Sequence, residues 1–146
     1  MSSALTRSAR GSINQLPCVF ASALHHRCAV CSLSLNDSST TPERLLCTQP
    51  LARAACAHLY GSLRDKSRFA LGLRQDPLSH PATTGSEVRT QCGGLTGLRN
   101  VLDTEAMSID VQRLLERIEA QTGGVDQLPW EEILRTIALW PTERTR

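Results

Sequence analysis

Aromatic residues are scarce in this chain: Phe20, Tyr60, Phe69, Trp130 and Trp140 are the only ones in 146 residues. Aromatic side chains bury the most area each, so few of them means a thin core. Ile13 is the sole isoleucine before residue 109, after which come Ile109, Ile118, Ile133 and Ile137. Core-building material is therefore concentrated towards the C-terminus. No run approaches the roughly 20 apolar residues that span a bilayer, which argues against a membrane-spanning helix.

The arrangements that carry catalysis are missing too. The chain has no nucleophile elbow, no H-E-x-x-H and no Ser/His/Asp set that the sequence can bring together. His26 with Cys28, or His58 with Cys56, can be drawn as a Cys–His dyad. Sequence proximity says little, however, about the hydrogen-bond geometry such a dyad needs. The expectation is a protein that is not an enzyme.

What is present divides near residue 100. The first hundred residues hold eleven basic and five acidic side chains, the remainder five basic and nine acidic, so a net charge of +2 hides opposite halves. All six cysteines lie in the basic part. Residues 1–36 contain Arg7, Arg10 and Arg27, seven serines and no acidic residue. That composition fits an organellar transit peptide if the source is eukaryotic, which would make the destination mitochondrial. The short apolar run 16–21 with Ala21-Ser22-Ala23 sketches a secretory cleavage site, although Pro17 interrupts it. A disordered tail is the simplest of the three, with a cytoplasmic protein as the default.

The pattern predicts a mainly α protein with a poorly ordered, basic, Cys/Ser-rich N-terminal region. Residues 1–40 read as disordered or presequence-like and 41–74 as a weakly helical segment. Thr41-Pro42-Glu43 would start a helix that Pro50 stops; a second would run from Pro50 to a glycine stop at Gly61, and a third, short one over 62–71 would be capped by Ser62. Residues 75–94, with Pro77, Pro81, Gly85, Gly93 and Gly94, read as a linker. Residues 95–146 form the helical C-terminal region, its first helix covering about 96–105.

The strongest expectation is an amphipathic αα-hairpin over 108–140. Ser108 would cap the first helix, and Val111, Leu114, Leu115 and Ile118 recur at i, i+3, i+4 and i+7. Gly123-Gly124 ends it, Pro129 opens the second helix, and Trp130, Ile133, Leu134, Ile137 and Ala138 form a second apolar face. A hairpin this short cannot cover its own apolar side. The cover could be the rest of the chain, a second copy or a different protein.

The leading expectation is thus a non-enzymatic interaction or regulatory protein, meeting a protein partner or itself through Leu114, Leu115, Ile118, Trp130, Ile133, Leu134 and Ile137. The competing class is a zinc-binding module on Cys28, Cys31, Cys47 and Cys56: a C-x-x-C turn supplies two thiolates, but the second pair lacks a matching spacing. The third is an over-extended reading frame whose functional product begins at Met107. Two further motifs are present. Gly93-Gly94-x-x-Gly97 is a fragment of a phosphate cradle without the surrounding α/β pattern. Arg64, Lys66, Arg68 and Arg74 form a basic cluster with few stacking aromatics, so nucleic-acid binding is disfavoured.

Overall fold

The structure is a computed structural model and describes residues 16–39, 43–71 and 84–141. The described chain is mainly α. It runs β1 (Leu16–Pro17), α1 (Ala21–His25), β2 (Ser34–Asp37), β3 (Arg44–Cys47), α2 (Pro50–Leu71), α3 (Thr84–Leu102), α4 (Val111–Thr122), a 3-10 turn (Val125–Gln127) and α5 (Trp130–Leu139). The strands form a small antiparallel sheet in the order β1-β3-β2, with Cys47 opposite both Leu16 and Ser34.

The N-terminal half is where expectation and structure part. Residues 16–39 are not a tail: Phe20, Ala23 and Ala29 are buried in the common core. The helix expected to start at 41–43 is replaced by β3; its cap residues 41 and 42 lie outside the described residues. Only seven residues separate Pro42 from Pro50, too few to repay the cost of helix nucleation. As the central strand, β3 instead pairs along both edges and buries Leu46 and Cys47.

Gly61 does not stop α2 either. Leu59, Leu63 and Ser67 follow at i, i+4 and i+8 and are all buried, so the helix continues through the glycine. Fully burying a leucine is worth about 1.5–3 kcal/mol, which exceeds the roughly 1 kcal/mol a mid-helix glycine costs.

The expected linker 75–94 is in large part α3, the central element of the fold; residues 75–83 lie outside the described residues. Gln91, Leu95, Leu98 and Leu102 fall on one helical stripe and are buried. The glycines that read as breakers are notches that admit neighbouring helices. A Cβ on Gly93 would lie 2.9 Å from Ile137 Cα, one on Gly97 would lie 3.1 Å from Ile133 Cα, and one on Gly94 would run into the Leu63 side chain. The pairings 93 with 137 and 97 with 133 make α3 and α5 antiparallel.

Both expected C-terminal helices form. Asp110 rather than Ser108 caps α4, its carboxylate accepting from the Gln112 N–H at 3.1 Å. Gly123 closes α4 in the left-handed region at φ 89°, its N–H donating to the Ile118 and Glu119 carbonyls. The hairpin pairing itself does not follow: α5 packs chiefly on α3 rather than on α4. Arg89 of α3 completes that docking. Its Nε and Nη2 donate to the Ile137 and Ala138 carbonyls at 3.0 and 2.9 Å, satisfying the end of a helix that has no basic residue in its own last turn.

The N-terminal segment is tied in by specific bonds. Gln91 Oε1 accepts from the Ala23 N–H and its Nε2 donates to the Val19 carbonyl, both at 2.9 Å. Cys28 forms a disulfide with Cys92 of α3. The backbone of Val30 pairs with Ile109 and Val111 at the start of α4. A product beginning at Met107 would therefore carry α4 and α5 without the helix that covers α5.

Candidate functional site

The seven side chains expected to meet a partner divide sharply. Ile133 and Ile137 have no solvent exposure, and Leu114 and Ile118 have 2% each. Leu115, Leu134 and Trp130 are half-buried and packed against the same core. Trp130 is further held by its indole N–H, which donates to the Val125 carbonyl at 3.1 Å, and by the Lys66 ammonium 5.2 Å from its ring centre. Of the three possible covers, the structure supplies the rest of the chain. Ile133 and Ile137 are core residues and are corrected as docking anchors: α3 already occupies the face they would offer.

A neighbouring surface stays open along α4. A groove of about 830 Å³ lies between α2 and α4, bounded at one end by the glycine turn and the 3-10 segment. Its walls include Ala52 and Ala55 of α2 with Leu115 and Ala120 of α4, and Glu116, Glu119 and Asp126 give it acidic character. His58 is also in the wall, and among the described residues no lysine or arginine lines it. The arginines of α4 are drawn elsewhere: Arg113 and Arg117 reach Asp103 at 2.8 and 3.4 Å. Gln112, also in the wall, has its Oε1 buried with no hydrogen-bond partner. The signal for this groove was present in sequence as small residues spaced i, i+3 on one side of α2. It could not be placed without knowing that α2 lies against α4.

The cysteines regroup. Cys28, half of the C-x-x-C motif, is bonded to Cys92 and so leaves the expected ligand set of Cys28, Cys31, Cys47 and Cys56. Cys18, unassigned in the sequence reading, takes its place. Cys18, Cys31, Cys47 and Cys56 are all free thiols and all line one small cavity with Phe20, Arg53 and Val111. Each comes from a different place in the chain, and local structure explains the convergence. Arg53 Nε donates to the Pro17 carbonyl at 2.7 Å, which ties α2 to β1 and sets Cys56, one turn along, near Cys18. The Cys18 N–H donates to the Leu45 carbonyl of β3 at 2.9 Å, two residues before Cys47. Cys31 opens a turn closed by Ser34, whose N–H and hydroxyl donate to its carbonyl.

Burial raises the Cys18 and Cys31 thiols above the usual cysteine value, and it pushes Cys56 up to about 12, with the neighbouring cysteines adding to the effect. Desolvation disfavours the thiolate at each, so without an added cation these are weak nucleophiles. As they stand, no three His, Cys, Asp or Glu side chains among the described residues are set to hold a metal ion.

The remaining sequence signals resolve structurally. Gly93, Gly94 and Gly97 serve helix packing, inside α3 rather than at a helix start. In the basic cluster, Arg64 lies over the Tyr60 ring at 5.7 Å, Lys66 over Trp130, and Arg68 reaches Asp65 at 3.2 Å. Arg74 lies outside the described residues. No helix among the described residues is long and apolar enough to cross a membrane. No protein-family model matches the chain, and no curated protein or solved structure is detectably similar to it.

Proposed function

We propose that this is a non-enzymatic interaction protein that docks a basic amphipathic helix of a partner protein in the groove between α2 and α4. The observation that carries this reading is the groove's composition: an apolar floor of Ala52, Ala55 and Leu115 beneath Glu116, Glu119 and Asp126, with His58 but no lysine or arginine among the described lining residues. An amphipathic helix binds by laying its apolar face into such a groove. Acidic groups around it select a basic partner and speed its approach, more so at low salt. Of the seven anchors expected from sequence, Leu115 and Ile118 border this groove, so the interaction moves to the margin of the expected α4 face.

The test is fluorescence anisotropy of a labelled helical peptide with one leucine face and one lysine face, titrated with the full chain. Saturable binding that weakens with salt and is lost in Leu115→Asp and in Glu116→Lys/Glu119→Lys supports the reading. Absence of saturable binding, or equal binding by Leu115→Asp, overturns it. Self-association abolished by Leu115→Asp would assign the groove to a second copy instead.

A further inference from the structure

We propose that Cys18, Cys31, Cys47 and Cys56 form a structural zinc site that ties the small sheet to α2. Four thiols from four separate places in the chain border one cavity of about 10 Å³, and among the described residues no acidic or imidazole side chain shares it. A space of that size holds a single water-sized body. Four soft sulfur donors around one such space are the ligand set that zinc takes in closed structural sites, with four Zn–S bonds of about 2.3 Å. Disulfides explain the arrangement less well. The Cys28–Cys92 bond is made, whereas these four thiols, which share one cavity, are free.

The thiols do not yet close on a common point, so ligation requires them to turn inward. Each has one side-chain torsion with three staggered positions, and the backbone framework around the cavity is already fixed by the Arg53–Pro17 and Cys18–Leu45 bonds. On binding, zinc replaces the four thiol protons, which leave to solvent, and no electron transfer is involved. The gain is structural. The sheet has only three short strands, and its contribution to the core is small; a four-coordinate ion would join β1, the 31–34 turn, β3 and α2 at one point.

The experiment is metal analysis of the full-length chain purified without added metal or reductant, combined with native mass spectrometry. One zinc per chain is expected, with four thiols becoming titratable only after a chelator and denaturant are added together. Replacing zinc by cobalt should give the visible and near-ultraviolet absorption of a tetrathiolate site. Cys56→Ser should lose the metal, Cys56→His should keep it with a shifted cobalt spectrum, and Cys92→Ser should keep it unchanged. Zinc-free protein with four free thiols, recovery of these cysteines in disulfides, or full zinc retention by Cys56→Ser overturns the site. The wild-type metal content decides the matter even if a variant fails to fold. The peptide-binding test of the groove reads a different surface, so either proposal can fail alone.

Discussion

Gly93 of α3 meets the backbone of Ile137 of α5 with no room for a methyl group: a Cβ there would lie 2.9 Å from the isoleucine Cα and 3.2 Å from Trp140 Cβ. Gly93→Ala gains up to about 1 kcal/mol of helix propensity. It also forces two helices apart at a buried contact, and overpacking of this kind costs about 1–3 kcal/mol. The net expectation is destabilisation. Gly61→Ala, in a helix interior with nothing within 4 Å of the new Cβ, should stabilise by about 0.5–1 kcal/mol. Urea midpoints of the two variants should therefore move in opposite directions; stabilisation by both would mean that α3 and α5 are not in contact.

Gln91 provides a second test, because it serves two backbone groups at once. Gln91→Leu keeps the size but leaves the Ala23 N–H and the Val19 carbonyl without their partner. An unsatisfied buried polar group costs about 1–3 kcal/mol, so the variant should lose at least that much stability. Equilibrium denaturation checks it. A neutral effect would show that the 16–30 segment does not sit against α3.

How much of this was legible follows from how local each signal is. The periods and turn residues of α4 and α5 are local, and both helices form close to their expected bounds. Their partner was not legible, because the stripe Gln91, Leu95, Leu98 and Leu102 is interrupted by Gly93, Gly94 and Gly97. Glycine in a sequence marks either a break or a close approach, and only the facing residues Leu63, Ile133 and Ile137 decide which. For the cysteines, proximity in sequence misled: Cys28 and Cys31 are three apart yet serve different groups, while Cys18 and Cys56 are brought together by Arg53 reaching Pro17. Residues 44–47 lacked a strand period because β3 is short and paired on both sides.

The Cys28–Cys92 disulfide spans a sequence separation of 64 residues. A cross-link closing a loop of that length stabilises by about 4 kcal/mol in the chain-entropy treatment, and measured values run about 2–4 kcal/mol. Cys28→Ser/Cys92→Ser should lower the thermal midpoint accordingly while keeping the far-ultraviolet helix signal below it. An unchanged midpoint would place the two cysteines apart in the folded chain.

Acid should loosen the sheet before the helices. The Ser39 hydroxyl, with Arg44 beside it, holds Asp37 at about 2 against an ordinary 3.8. Its folded value is depressed, so its contribution is present above 3.8 and is lost as pH falls towards about 2. Asp37→Asn should flatten the stability profile across that window, and Ser39→Ala should raise the Asp37 midpoint seen by NMR titration. A midpoint near 3.8 in the wild type would contradict the contact.

Hydrogen exchange of the full-length chain, read by mass spectrometry, bears most directly on the finding that α3 covers the C-terminal helices. The slowest amides should belong jointly to α3 and α5, with the α1 segment around Ala23 in the same class. A chain starting at Met107 should exchange rapidly over 130–139. Protection confined to 111–139 in the full chain, and retained in that shorter one, would contradict the fold and return Ile133 and Ile137 to the list of partner-facing residues.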